Sequence, residues 1–552
     1  MPALQTIPSE SGAAAVAARL ETPPFTRKRP GIVGRMLHGT GAGAVATGLG
    51  IVSNLLLLPL YLHRWTVAVY GEWMALYSVV NYLGTLDFGV TTAAVNAATM
   101  AYARKDWPAF KRIQGTAWAA SFGIAGVGAL VVAAILLFFH VNQWLGLKAM
   151  GSRESRLVFG WLSLALLASI PGRQLASIYV ALGEFAKYQW LYNAGGVLSC
   201  IAIASALLLG ARPVLLAAVI AATTLFSIAA TYGLIYRRDS RLVPRARDAE
   251  WATARSLAAP TGQFGIQIVA SALTLQGPVV ILSRALGGPA VALFTTTRTV
   301  TNVVRGVLTL LRAPLRPEFA AAAAQSTKDS LRSLFRIAVA LDTVVAVTLA
   351  AGLWSGGIWL IRFWSHGHIP PDPLLLRLLL AFSLLEGFLF MMASVGLATN
   401  HLRGFSLGQL LYALVSLILA AALVSRFGPS AIPLGAIPPL LVFMLPAALR
   451  NACSEITAPI RTLVVRMFLP FVAIASLSAV LPYWLETLAI APDWLSACVS
   501  AIAACLLACL AVSAVFLTST DRQTVYDRFA FFFRGNPTES LAVGSTAASL
   551  DS

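Results

Sequence analysis

The stretch GTAWAASFGIAGVGALVVAAILLFF, residues 115–139, runs for 25 residues without a charged side chain. As a helix rising about 1.5 Å per residue, it is long enough to cross the roughly 30 Å hydrocarbon layer of a bilayer. Lys111 and Arg112 precede it, and Arg153 and Arg156 follow it. Each end is thus anchored by groups that stay in water. The same unit, a long apolar run between polar flanks, recurs along the chain. It predicts helices over 40–62, 72–100, 114–139, 157–182, 189–209, 213–236 and 259–283, then over 290–313, 337–361, 374–398, 405–425, 430–449, 464–484 and 494–518. The second is the least regular, because Asp87-Phe88-Gly89 interrupts it. The fold class that follows is an all-α integral membrane protein of about 14 transmembrane helices.

Composition points the same way. Apolar residues make up 58% of the chain and charged residues 11%, with a mean hydropathy of +0.78. A soluble domain carries about 25% charged residues, so this chain lacks the polar material to coat a globule of its length. The net charge of +18 lies in loops between apolar runs and not on one basic face. That pattern suits loop topology and anionic membrane lipids, and no nucleic-acid partner is expected. With the N-terminus inside, 28 of the 40 Lys and Arg residues fall on the cytoplasmic side and 8 outside. Both termini are therefore expected in the cytoplasm. The five cysteines suggest no disulfide framework; Cys498, Cys505 and Cys509 share one span and read as small buried hydrophobes. The six histidines, including His366 and His368, offer no set of three or four convergent donors, so no metal and no cofactor is expected.

Residues 1–39 form a flexible basic tail ending near Arg27-Lys28-Arg29 and Arg35. A basic cytoplasmic linker, 237–258, then separates a first lobe of helices 1–6 (40–236) from a second lobe of helices 7–12 (259–449). Helices 13–14 occupy 450–519, and a partly disordered tail covers 520–552. Within that tail, Tyr526 to Arg534 is aromatic and basic enough for an interfacial anchor. Faint self-similarity links the halves: Lys105-Asp106 answers Lys328-Asp329, and at the same offset Ala68-Val69 answers Val291-Ala292. The expected architecture is two six-helix lobes related by an internal repeat, plus two C-terminal helices. Repeats of this kind place the substrate path where the lobes meet.

Charges inside spans are expensive and mark candidate sites. In the eighth span Arg298, Arg305 and Arg312 recur every seventh residue, with Asn302 on the same stripe. Seven residues bring a helix back nearly to the same face, about 10 Å further along. A ladder of guanidinium groups suits bidentate binding of phosphate in a water-filled cavity. Arg312 alternatively snorkels at the interface. Arg173 follows Pro171-Gly172 in the fourth span and offers a second cationic contact, or an internal ion pair beside a kink. The intramembrane acids are Asp87, Asp342 and Glu386. Asp87 and Glu386 are candidates for ion coupling, or for neutralising the arginines. Asn54, Asn81, Asn96, Asn193, Gln263, Gln267 and Gln276 could hydrogen-bond sugars or join helices. There is no P-loop, G-x-S-x-G elbow or H-E-x-x-H, and no catalytic residue is assigned.

Three stretches of the first lobe, Pro59-Leu60-Tyr61-Leu62, Tyr70-Gly71-Glu72-Trp73 and Asp87-Phe88-Gly89-Val90, resemble the opening helices of polysaccharide flippases. These belong to the multidrug/oligosaccharidyl-lipid/polysaccharide exporter superfamily. In the second half Ala285-Leu286-Gly287-Gly288, Ala290-Val291, Thr297-Arg298 and Pro317 are similar as well. The resemblance implies a multi-pass protein of the bacterial inner membrane that flips undecaprenyl-pyrophosphate-linked oligosaccharide for surface polysaccharide (O-antigen or exopolysaccharide) by alternating access. It matches Arg298 to an arginine of the family's eighth helix, and it implies polymerase and chain-length partners. Arg173 and Arg305 rest on the span argument alone. The alternatives are a cation-coupled drug or metabolite exporter and a membrane enzyme such as a polymerase or ligase. Cationic drugs would be repelled by the arginine stripe, and the short external loops leave little room for a catalytic domain.

Overall fold

The computed structural model describes residues 32–312, 328–398, 403–480 and 493–523, with a few residues between these stretches. Arg27-Lys28-Arg29, Pro317 and residues 527–534 of the aromatic segment lie outside the described residues. Among those described, the chain is helical almost throughout and has no strand.

The first half comprises α1 (Ile32–Arg64), α2 (Val67–Leu83), α3 (Val90–Ala103), α4 (Trp107–Phe138), α5 (Ser152–Ala176, continued by Ile178–Ala181), α6 (Phe185–Leu208) and α7 (Pro213–Arg238). Then follow α8 (Trp251–Leu286), α9 (Gly288–Arg312), α10 (Lys328–Trp364), α11 (Pro373–Ala398) and α12 (Arg403–Phe427). In α13, Ala431–Pro439 continues through a wide turn at Leu440–Met444 into Leu445–Ile456. A similar turn at Val464–Phe468 leads into α14 (Leu469–Ser478), and α15 spans Asp493–Val515.

Over the described residues each predicted span falls on helix, and the local chemistry explains the ends. Asp106 accepts a hydrogen bond from Ala109 N at 2.9 Å and caps α4. Thr66 does the same for α2 from Val69 N at 3.3 Å. The second span is broken in two. Phe88 and Gly89 are both left-handed, at φ 43° and 87°, and no helix propagates through two such residues.

Some predicted boundaries need correction. The linker is shorter than 237–258, because α7 runs to Arg238 and α8 begins at Trp251. It is also packed, not free: Glu250 N donates to Thr116 Oγ1 at 3.0 Å, and Arg112 pairs with Glu250 at 3.4 Å. The tail limit at 39 falls inside α1, and the limit at 449 falls inside Leu445–Ile456. Cys498 and Cys509 are exposed rather than buried, since on a membrane helix an outward face is itself apolar.

Ten described helical runs are long and apolar enough to cross a membrane. One of them, Gly404–Ile456, folds back near Gly428 and carries both α12 and α13. Much of this apolar surface points away from the protein. Leu130, Leu137 and Phe138 are 72%, 74% and 79% exposed, which water would penalise by roughly 1.5–3 kcal/mol for each side chain. The chain is a multi-pass membrane protein.

By packing, the chain up to Gly306 joins Ile358–Phe382 and Arg403–Leu445 in one unit. Val307–Gly357, Ser383–Leu402 and the chain from Pro446 form the other. In the second unit, Asp521 is buried and ties the segment after α15 to the start of α10. Its carboxylate accepts from Arg336 Nε at 2.7 Å and Nη2 at 3.1 Å, from Ser333 Oγ, and from Thr518 N and Oγ1 at 3.0 and 2.7 Å. Burial alone would raise this carboxyl's pKa, but Arg336, Ser333 and Thr518 outweigh it and hold the group well below the usual carboxylate range. A depressed pKa gives stability that is present above about pH 4 and lost only as pH falls toward the folded value. Asp521→Asn should therefore expose Thr518–Gln523 to protease at pH 7, with about 1–3 kcal/mol of local stability lost. The unsubstituted protein should keep that segment protected down to about pH 4.

Candidate substrate-binding site

The motif Tyr70-Gly71-Glu72-Trp73 opens α2 and forms a clasp. A Cβ placed on Gly71 would lie 1.8 Å from the carbonyl oxygen of Gly288, and one on Gly288 would lie 2.5 Å from that of Ala68. Helices α2 and α9 thus meet backbone to backbone, which only glycine permits. Glu72 is 1% exposed, yet its carboxylate is satisfied. It accepts from the amides of Lys148 and Ala149 at 2.6 and 2.7 Å and of Met150 at 2.7 Å. Three charge-assisted bonds offset the cost of burying the anion. Ser283 Oγ donates to Leu145 O at 2.8 Å and pins the same loop to α8. Tyr70 and Trp73 pack with Tyr61 and Trp65, ring centroids 5.1–6.4 Å apart. In the sequence Glu72 carries only the resemblance, since an acid at the edge of an apolar run reads as a loop residue.

The clasp leads to the arginine stripe, because Tyr70 neighbours Thr295 and Arg298. The stripe is not a uniform ladder of free cations. Arg312 forms a two-point pair with Asp342, Nε to Oδ1 at 2.7 Å and Nη2 to Oδ2 at 2.8 Å. Both are largely buried, at 14% and 3% side-chain exposure, so Arg312 is neutralised and does not snorkel. Arg298 differs. Its Nη1 donates to the Leu275 carbonyl at 2.6 Å, and its guanidinium sits 5.1 Å from the Phe294 ring centroid. Neither partner removes its charge. Arg305 is half-buried seven residues further on, and Asn302 between them is exposed.

The candidate coupling acids are placed differently. Asp87 is 9% exposed, ends the short turn Gly84–Asp87 and accepts from Thr91 Oγ1 at 3.2 Å. Glu386 on α11 is buried. Asp342 serves Arg312, as noted.

Arg173 lines a cavity of about 490 Å³ within the first seven helices, bounded by α1, α5, α6 and α7. Ser169, Tyr188, Tyr192, Asn193, Thr223 and Ser227 also line it, whereas Arg298 and Arg305 do not. The three arginines expected to act together are thus not gathered in this cavity. Close packing at Gly172, next to Pro171, sets the wall: a Cβ on Gly172 would lie 2.7 Å from Ile228 Cγ1. The Arg173 side chain makes no hydrogen bond or ion pair among the described residues. The acid at the end of α5, Glu184, is already engaged. It holds Arg238 through bonds of 2.5 and 2.6 Å and Lys187 at 3.0 Å. Burial would raise the Glu184 pKa, but Arg238 and Lys187 bring it below its ordinary value. Among the described residues, the internal ion pair expected as an alternative for Arg173 is not formed.

With this geometry in hand, comparison with solved structures is informative. A lipid II flippase, MurJ, in its inward closed conformation superposes with a TM-score of 0.64 at 13% identity, covering 87% of this chain and 99% of that one. An inward-facing multidrug resistance MATE family transporter of the MOP superfamily gives 0.58 at 14% identity, covering 79% and 98%. The chain shares the fold of these solved structures. An outward-facing multidrug resistance MATE family transporter gives 0.56 at 12% identity, covering 78% and 96%. No protein-family model matches the sequence, and no curated protein matches it. All of these neighbours are multi-helix membrane folds, in line with the all-α expectation.

The clasp makes a direct prediction. Leucine at position 71 has no room beside Gly288, so Gly71→Leu should part α2 from α9 at their N-terminal ends. Pulsed electron spin resonance between labels at Thr66 and Pro289 should show a longer distance in the variant. An unchanged distance would mean that the close approach does not control this end.

Proposed function

We propose that this protein is a transporter that flips undecaprenyl-pyrophosphate-linked oligosaccharide across the bacterial inner membrane for surface polysaccharide synthesis. A pyrophosphate headgroup does not cross about 30 Å of hydrocarbon unaided, because burying its charge costs many kcal/mol. A protein that moves it supplies cationic groups in place of water while the isoprenoid tail stays in lipid. The observation that carries this reading is Arg298. It lies midway along α9, and its hydrogen bond goes to a carbonyl, not to an acid. Arg305 and Asn302 extend the site along α9, and Arg173 offers a second cationic contact, apart from the stripe, in the first lobe. Asp87 and Glu386 are the ion-coupling carboxylates. The shared fold with a lipid II flippase supports the substrate class.

In this proposal both termini are cytoplasmic, as the distribution of Lys and Arg indicates. The clasp at Gly71 and Gly288 then lies at the outer end, and its closure leaves access from the inside. The two lobes are related by the internal repeat, and access alternates between them. Surface-polymer polymerase and chain-length proteins act on the delivered product. Drug export suits the site less well, since an arginine without a counter-charge repels organic cations. The protein moves its substrate without altering it.

The test is substitution at the stripe. Arg298→Ala, at normal expression, should cut surface polysaccharide at least tenfold in a deletion strain, with completed lipid-linked units held on the cytoplasmic leaflet. Removing one charge-assisted phosphate contact, about 1.5–3 kcal/mol, corresponds to roughly 10- to 150-fold. Arg298→Lys should recover part of the loss. Unimpaired polymer in Arg298→Ala would remove Arg298 from the site.

A further inference from the structure

The cavity around Arg173 has a polarity that neither a simple anion nor a cation matches. On α7, Thr224 Oγ1 donates to Ile220 O at 2.8 Å, Ser227 Oγ to Thr223 O at 2.8 Å, and Thr231 Oγ1 to Ser227 O at 2.8 Å. Thr223 donates likewise to Val219 O and Ile220 O, at 3.0 Å each. On α5, Ser169 Oγ donates to Leu166 O at 2.6 Å. All five hydroxyls line the cavity. A hydroxyl has one proton, and here each is committed to its own helix. What these five present toward the cavity is a row of acceptor lone pairs, beside the donor-capable side chains of Ser53, Ser199, Asn193, Tyr188 and Tyr192. Arg173 is the opposite: five N–H donors, a fixed positive charge and no acid beside it.

Three ligand types fail this pair of walls. Inorganic phosphate would satisfy Arg173, but its one or two O–H groups would leave most of the acceptor row unmet. An organic cation would suit the acceptors and be repelled by the arginine. A neutral sugar would leave the guanidinium unmatched. A ligand with an anionic phosphoryl group on one side and several O–H donors on the other satisfies both walls.

We propose that this cavity is a binding site in its own right for a glycosyl phosphate. The phosphoryl oxygens take the fork of Arg173, and the sugar hydroxyls donate to Ser169, Thr223, Thr224, Ser227 and Thr231. Tyr188 and Tyr192 supply flat apolar walls for the sugar ring's C–H faces. The volume of about 490 Å³ lies within the roughly 300–1,000 Å³ of small-ligand pockets. This inference deepens the transport reading and relies on it only for the source of the ligand: the headgroup of the lipid-linked substrate, or a free sugar phosphate. The site is separate from the α9 stripe, so its binding does not require Arg298.

The test uses the full chain in lipid nanodiscs, titrated with glucose 1-phosphate, inorganic phosphate and glucose. Glucose 1-phosphate should bind at least tenfold more tightly than either of the others. Arg173→Met should weaken it at least tenfold, and Ser227→Val should weaken it without changing the affinity for inorganic phosphate. Arg298→Ala should leave it unchanged. Thermal unfolding of each variant shows that the protein is intact, and Ser227→Val provides an independent reading should Arg173→Met fail to fold. Competition by a lipid-linked glycosyl pyrophosphate would identify the headgroup as the source; its absence, with glucose 1-phosphate still bound through Arg173, would identify a free sugar phosphate. Equal binding of inorganic phosphate, or glucose 1-phosphate binding insensitive to both Arg173→Met and Ser227→Val, would overturn the assignment. Loss of glucose 1-phosphate binding in Arg298→Ala would move the site to α9. Export in cells is a separate readout, so failure here and failure of the flippase reading are told apart.

Discussion

The hydrocarbon of a bilayer offers no hydrogen bonds, so every polar group that enters it must find its partner within the protein. Most charges near the spans of this chain obey that constraint visibly. Glu72 is held by three backbone amides, Arg312 by Asp342, Glu184 by Arg238 and Lys187, and Asp521 by Arg336. Against that background, Arg298 and Arg173 stand apart. One is bonded to a carbonyl, and the other has no acid beside it. A cation kept without a counter-charge within a membrane span is costly, which is why these two arginines are the candidates for binding an anion.

The same constraint shapes the helix break and the clasp. A helix can be interrupted in a membrane only where the freed backbone groups are sheltered by protein. The break at Phe88-Gly89 lies where Gly265 of α8 packs closely, since a Cβ there would come within 3.2 Å of the Phe88 carbonyl oxygen. The clasp joins backbone to backbone at Gly71 and Gly288, with few side chains to interdigitate. Glu72 keeps the adjoining loop in register, because its three bonds join α2 to that loop.

Much of this was legible in the sequence. Long apolar runs without charge locate the spans, because no other solvent accommodates them, and Asp87-Phe88-Gly89 marks the broken one. The boundaries were less legible. Trp251 to Arg255 looks like linker by charge, yet it is the polar first turn of α8, which continues beyond the apolar zone. The arginine stripe was read correctly as one face but incompletely as a site. A seven-residue spacing reports which face a residue shares, and says nothing of what stands opposite. The partner of Arg312 is thirty residues away on α10. Glu72 lacked a clear signal because an acid at a span's edge resembles a loop residue. The hydroxyl row Thr223, Ser227 and Thr231 does recur every fourth residue, but only the hydrogen bonds reveal that its protons are already committed.

The central claim, that the chain moves a lipid-linked oligosaccharide from one leaflet to the other, is tested most directly with purified protein in sealed vesicles. A lipid-linked oligosaccharide would be placed in one leaflet, and its exposure on the other read with a membrane-impermeant lectin. The account predicts transfer that depends on the protein, stops with Arg298→Ala and leaves the sugar chain chemically unchanged. Transfer no faster than in protein-free vesicles, under either ion gradient or membrane potential, would contradict it.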